Sequence, residues 1–138
     1  MASAPDLRTN VLLRSEQSGN HVSMIEIVVP AQHAGPPLHT HEFDEAFYVL
    51  EGELIFQVED ELITKRAGEL AFVPRNVAHA LANHSDAEAR YLLVCTPAGL
   101  ERHFARAAAA RQGVEPPDWA LQPSPEVTVV GPQITRDG

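Results

Sequence analysis

Two histidines and a glutamate within one short segment could bind a metal ion together. His39, His41 and Glu45 are separated by even numbers of residues, so their side chains point to the same face if this segment is extended. Two imidazoles and a carboxylate are ligands that suit a borderline divalent ion. Glu42 and Asp44 have the opposite parity, which predicts that these two acidic side chains face solvent.

A fourth ligand is predicted on a neighbouring strand, at His79. Pro74, Asn76 and Val77 favour a turn that returns the chain just before this histidine. Three imidazoles and one carboxylate leave positions open on an octahedral ion, where water, a substrate oxygen or dioxygen can bind. Iron, manganese, nickel, copper, cobalt and zinc all suit this ligand set, so the sequence predicts one divalent transition metal ion of open identity.

The other histidines and the single cysteine are predicted to have structural roles. His21, His33, His84 and His103 are predicted to be surface or capping residues, because each lies beside a turn, in a loop or on a helix. Cys95 can form no internal disulfide and is predicted to be a small buried hydrophobe on a strand.

The elements that must position these ligands are short strands with turns between them. Strands this short, with no helix between them, predict antiparallel pairing in a sandwich or barrel. The predicted strands are Val11–Gln17, Val22–Val29, His39–Leu50, Glu53–Val58, Glu61–Arg66, Glu69–Val73, His79–Asn83 and Arg90–Thr96. Asn83 is predicted to form hydrogen bonds at a strand end. Core packing is the first prediction for five aromatic side chains, and the alternative for some of them is to line a pocket: Phe43, Phe47, Phe56, Phe72 and Tyr91.

A helix and a tail follow the strands. Leu100–Gln112 has the apolar spacing of one helix, and Gly113 is suited to end it. The proline-rich tail is predicted to pack as a strap on the barrel surface or on a second subunit. We therefore predict a single domain over residues 1–138, with a barrel core at about 11–96, a helix at 100–112 and a strap at 113–138.

Charge and hydropathy exclude several functions. The chain of 138 residues has a formal charge of −9, which argues against nucleic acids and anionic membranes as partners. A small neutral or metal-chelating molecule is the expected ligand. Met1–Asn10 has no apolar segment typical of a secretory leader, and no apolar run is long enough to span a bilayer. The expectation is a soluble, cytoplasmic protein.

Two spaced motifs carry a resemblance to a known family. The first is His39-x-His41-x3-Glu45-x6-Gly52, and the second is Gly68-x5-Pro74-x-Asn76-x2-His79-x3-Asn83. Both resemble the paired motifs of the cupin superfamily, with two departures. Gly35 precedes His39 by three intervening residues instead of five, and Asn76 stands where the family has glycine. Asparagine tolerates a left-handed turn, so the backbone role at position 76 is expected to survive.

The resemblance implies both a fold and a range of activities. The fold would be all-β, an antiparallel double-stranded β-helix or jelly-roll barrel, often found as a homodimer. The stretch from Asp44 to Gly52 resembles small cupins grouped with quercetin 2,3-dioxygenase. That likeness implies an oxygenase for a small aromatic or enolisable substrate, with Glu45 both a ligand and a general base. Alternatives are a metal-dependent isomerase or cyclase, and a non-catalytic module that binds a metal or small molecule.

Overall fold

A computed structural model describes residues 7–135 of the chain. Residues 1–6 of the N-terminal segment and the last three residues of the predicted strap lie outside this range. The elements are β1 (Arg8–Leu13), β2 (Ser23–Val29), β3 (His39–Thr40), β4 (Asp44–Glu51), β5 (Glu53–Val58), β6 (Glu61–Arg66), β7 (Leu70–Val73), β8 (His79–Ala82), β9 (Ala89–Thr96), α1 (Leu100–Gln112) and β10 (Thr128–Val129). Short 3₁₀ turns occupy Ser15–Gln17 and Asp118–Leu121.

Two five-stranded antiparallel sheets form the barrel. One has the strand order β1-β2-β9-β4-β7, and the other has the order β10-β3-β8-β5-β6. Side chains alternate between buried and partly exposed along β2 and β9, as expected for strands with one face on a core. The predicted all-β jelly-roll barrel with a C-terminal helix is confirmed.

Two of the predicted strands differ from the structure by more than one residue at an end. Val11–Gln17 is divided between β1 and the 3₁₀ turn at Ser15–Gln17. His39–Leu50 is interrupted at residues 41–43, so that β3 and β4 lie in different sheets. The premise that one extended strand carries His39, His41 and Glu45 is therefore wrong, although all three side chains still turn inward.

Most of the aromatic side chains occupy the core, with one exception. Phe43, Phe47, Phe56 and Tyr91 are buried as predicted. Phe72 is 55% exposed, because its neighbours Ala71 and Val73 take the inward positions of β7. The prediction of core packing was wrong for this residue.

The tail packs as a strap on its own barrel. Arg106 of α1 donates hydrogen bonds to the carbonyl oxygens of Ala120 and Gln122, at 2.6 and 3.0 Å. Beyond this anchor, β10 pairs with β3, and Ile134 is buried against Ala80 and Ala82. These contacts agree with the first of the two placements predicted for the strap.

A buried carboxylate fixes the start of α1. Glu101 is fully buried and accepts hydrogen bonds from the backbone N–H and the hydroxyl of Ser15, both at 2.6 Å. It also accepts one from the N–H of Gly99 at 2.8 Å. At the other end Gly113 adopts the left-handed conformation that was predicted to end the helix.

Among the described residues, no helix combines the length and apolar character needed to cross a membrane.

Candidate metal site

His39, His41, Glu45 and His79 come together inside the barrel. One ligand atom from each lies within 4.8 Å of the other three. Opposite ligands of a single transition metal ion lie about 4 Å apart, so this spacing is on the scale of one coordination sphere. His41, Glu45 and His79 are buried, and His39 is partly buried.

Strand pairing across the two sheets positions the four side chains. His39 of β3 lies directly opposite His79, the first residue of β8. Glu45 lies near the start of β4, and His41 lies in the bend between β3 and β4. Asn76 has a left-handed φ of 66° and donates its backbone N–H to the carbonyl oxygen of His41 at 2.8 Å. Asparagine thus serves where the family motif has glycine, as predicted.

Each imidazole uses Nδ1 to bond a backbone carbonyl two residues away. The distances are 2.8 Å from His39 to Pro37, 3.0 Å from His41 to Phe43, and 2.9 Å from His79 to Val77. A carbonyl oxygen only accepts, so each Nδ1 carries a proton, and Nε2 of a neutral ring presents a lone pair. This is the support that histidine ligands of metals usually receive.

The centre of the cluster needs positive charge. Oε1 of Glu45 lies 2.6 Å from Nε2 of His41 and 2.8 Å from Nε2 of His79. If the rings are neutral, Nε2 and Oε1 both present lone pairs at these contacts, and the two atoms repel each other. Extra protons on the rings or one divalent ion would provide the missing charge, and the donor set of three imidazoles and a carboxylate fits the ion.

The pKa shifts favour the charge states that bind metals. Burial lowers the pKa of His39, which keeps this ring neutral. Burial alone would raise the pKa of Glu45, but the hydrogen bonds and positive charge that His41 and His79 supply when their rings carry the extra proton outweigh it and hold the pKa below its ordinary value. A neutral imidazole and an ionised carboxylate are the forms that bind metal ions.

The cluster faces a cavity of about 680 Å³. Its walls are mainly apolar, and come from the barrel, from α1 and from the strap. The apolar lining side chains include Val29, Phe47, Leu81, Leu93, Leu100, Phe104, Val127 and Val129. A cavity of this size holds a small organic molecule, with the cluster as its main polar feature.

The sequence did not predict all of the residues that line this cavity. His33 and His103, predicted to be surface or capping residues, both line it, although neither belongs to the four-residue cluster. Tyr91 lines it as well. Burial and the charge of Glu45 raise the pKa of Tyr91 far above its ordinary value, so the phenol keeps its proton.

The remaining polar predictions also have clear outcomes. Asn83 is fully buried and donates Nδ2–H bonds to the carbonyl oxygens of Val29, Pro30 and Ala87, the predicted strand-end role. Cys95 is buried, and burial raises the pKa of its thiol well above the ordinary value. That thiol is the inert core group that was predicted.

Comparison with known families identifies the family of the chain. The family model described as Cupin domain matches residues 25–95, just over half of the chain, and includes all four clustered residues. The chain belongs to the cupin family. None of the curated proteins compared with this cupin matches it.

Solved structures show the same fold. A predicted oxalate decarboxylase from Thermotoga maritima has 22% identity and a TM-score of 0.62, with 66% of this chain and 80% of that chain covered. TT1209 from Thermus thermophilus has 25% identity and a TM-score of 0.58, with 66% and 83% covered. KdgF from Halomonas sp. has 15% identity and a TM-score of 0.60, with 70% and 84% covered. At such identities these likenesses show a shared cupin fold.

Proposed function

We propose that this cupin is a metal-dependent enzyme, an oxygenase of the dioxygenase type that acts on a small aromatic or enolisable substrate. The observation that carries the proposal is the buried cluster of three histidines and one glutamate at the wall of an apolar cavity of about 680 Å³. Four protein ligands leave two positions open on an octahedral ion, and the cavity gives a substrate access to them, whereas a purely structural metal site would need no cavity beside it.

The four clustered side chains would hold one divalent ion, with His39, His41 and His79 as the neutral ligands and Glu45 as the charged one. Such an ion supplies Lewis acidity and open positions for a substrate oxygen and dioxygen. The Nδ1 hydrogen bonds to backbone carbonyls would keep the three rings in the orientation that binding requires.

Glu45 would also act as general base. Its Oε1 contacts His41 and His79, while Oε2 has no hydrogen-bond partner among residues 7–135. Oε2 could therefore receive a proton from a substrate hydroxyl in the cavity. The apolar side chains around the cluster would exclude water and strengthen this proton transfer.

Elemental analysis of the purified protein tests the metal site. We expect about one equivalent of a transition metal in the wild type. A His41→Ala, His79→Ala double variant should lose it while keeping the fold. A His21→Ala, His84→Ala variant removes two histidines outside the cluster and should keep the metal. If the metal-supplemented wild type binds no metal, or if the first variant still binds one equivalent, the proposal is wrong.

Oxygen uptake then tests the reaction. With a redox-active metal bound, we expect oxygen consumption in the presence of enediol or flavonol substrates, and none with the metal-free double variant. Conversion of a carbonyl substrate without oxygen uptake would instead indicate a Lewis-acid isomerase or cyclase. Binding of such substrates without any turnover would indicate a non-catalytic binding module.

We also propose a small molecule as the partner of this site and a cytoplasmic location for the protein. The formal charge of −9 opposes binding to nucleic acids and anionic membranes. Filter binding to DNA, RNA and anionic vesicles, together with fractionation of cells, tests both statements. Retention of the protein on any of these anionic surfaces would contradict the first.

A further inference from the structure

Tyr91 places a hydroxyl at the cavity that no other part of the described chain uses. Its side chain is 4% exposed and lines the cavity. The hydroxyl makes no hydrogen bond within residues 7–135, and it is not among the buried unpaired atoms of that range, so it is open to the cavity. A hydroxyl in this position can donate its hydrogen to a molecule bound there.

Strand pairing sets the position of Tyr91 relative to the metal ligands. Tyr91 is paired with Val49 of β4, whose backbone lies four residues, or about 13 Å, along the strand from that of Glu45. The ring of Phe47 is close to both ends, with its centroid 5.8 Å from that of Tyr91 and 6.2 Å from that of His79. A ligand that extends from the cluster toward Tyr91 therefore meets an aromatic side chain, which suits a ring as the body of the ligand.

The polar groups of the cavity lining also indicate which polar atoms that ligand should carry. The chain has 19 acidic residues, yet Glu45 is the only one of them in the cavity lining of the described chain. The other polar lining groups are imidazoles, the guanidinium of Arg111 and the Tyr91 hydroxyl. These groups mostly donate hydrogen bonds, so the surface around the apolar walls suits a ligand rich in acceptors.

We propose that Tyr91 is a specificity-determining residue whose hydroxyl donates a hydrogen bond to an acceptor on the ligand. That ligand is a ring-sized, mostly apolar molecule with chelating oxygens at one edge and a hydrogen-bond acceptor at the opposite edge. The inference rests on the proposed metal site, because the chelating edge needs the ion held by His39, His41, Glu45 and His79.

Two catechols and two variants provide the test. 4-Nitrocatechol chelates through its two hydroxyl oxygens and carries an acceptor on the far side of its ring, whereas 4-methylcatechol carries none there. Tyr91→Phe removes only the hydroxyl. Tyr48→Phe makes the same change at the only other tyrosine, which lies on the outer face of β4, and serves as the control.

Anaerobic calorimetric titration of Co(II)-loaded protein gives the affinities, and the visible absorption of cobalt reports chelation independently. We expect Tyr91→Phe to weaken 4-nitrocatechol binding about ten-fold and to leave 4-methylcatechol within about two-fold. Tyr48→Phe should change neither affinity. Equal effects of Tyr91→Phe on both catechols, or no effect on either, would overturn the inference.

The melting temperature of the metal-free protein tests, independently of the metal site, whether the Tyr91 hydroxyl has a partner within the protein. Without an internal partner for the hydroxyl, Tyr91→Phe should melt at the wild-type temperature or higher. A clear decrease, absent in Tyr48→Phe, would show that the hydroxyl bonds to the protein, and the inference would be wrong. Failure of cobalt to bind, or of both catechols to alter its absorption, would instead contradict the proposed function.

Discussion

Individual histidines in this barrel differ by what surrounds their rings. His41 and His79 meet Glu45 at the centre of the cluster, whereas His103 lies at the rim of the cavity on α1. His103 is exposed at the surface, but partial burial of its ring, together with the nearby positive charge of Arg106, lowers its pKa from the ordinary value of 6.5. The folded protein therefore favours the neutral form of His103.

This shift predicts a dependence of stability on pH. Below about pH 6.5 the unfolded chain binds a proton at His103 that the folded chain does not yet bind, so stability is lost as the pH falls toward the lower folded pKa. In His103→Gln, we expect the melting temperature of the metal-free protein to fall less between pH 7 and pH 5 than in the wild type. His39 has a shift of the same sign and remains in both proteins, so their difference reports His103.

His21→Gln is the matched control for this measurement, because His21 is exposed beside a turn outside the cavity. It should follow the wild-type curve throughout the range. An identical decline in the wild type and in His103→Gln would contradict the predicted contribution of His103.

The strands and turns of the site depend on glycines in the left-handed conformation. Gly35 has a φ of 72°, and a Cβ atom added there would lie 1.8 Å from the carbonyl oxygen of Leu81 in β8. Gly113, after α1, has a φ of 68° and open space around its Cα. The two positions share a backbone conformation and differ in their surroundings.

Substitution of these two glycines by alanine separates conformational strain from close packing. Gly113→Ala should lower the free energy of unfolding by only about 1 kcal/mol, the cost of the left-handed conformation. Gly35→Ala should lower it by about 3 kcal/mol or more, because β8 or the loop must also move. Chemical denaturation of the metal-free variants measures both values, and equal losses would contradict the close approach of Gly35 to β8.

The features of the fold and the site that depend on residues close in sequence were predictable, whereas those that depend on tertiary contacts were not. Residue types, spacing and the resemblance to the cupin motifs together pointed to the four residues of the cluster, and the helix bounds follow from periodicity and Gly113. The bend at residues 41–43 was missed because a tertiary contact favours it, the hydrogen bond from the backbone N–H of Asn76 to the carbonyl oxygen of His41 at 2.8 Å. β7 is apolar at all four positions, so alternation could not show that Phe72 faces outward.

The cavity lining was the least predictable part of the site. Tyr91 and His103 reach it from β9 and α1, elements that lie outside the metal motifs. Their contribution depends on the sheet order and on the packing of the helix against the barrel, and neither is encoded in local spacing.

For the whole molecule, we predict a homodimer. The strap packs on its own barrel, which leaves an exposed apolar patch of Tyr48, Leu70 and Phe72 on the outer face of β4 and its edge neighbour β7. Tyr48 and Leu70 are directly paired, so the patch is continuous and could meet a second copy across a twofold axis.

Size-exclusion chromatography with light scattering should give twice the chain mass of 15.0 kDa. Phe72→Glu places a charge in the patch and should shift the protein toward the monomer. Leu62→Glu, an exposed position on β6 of the other sheet, should leave the mass unchanged. A monomeric wild type at micromolar concentration would contradict the dimer.

The strap also has a consequence for protein synthesis. The four proposed ligands all precede residue 80, whereas Pro125, Val127 and Val129 complete the cavity wall from the strap. A ribosome therefore releases every ligand well before it releases this part of the wall. During translation the nascent barrel would present its ligands through a wider opening than the finished protein has, and this interval offers a route for metal delivery.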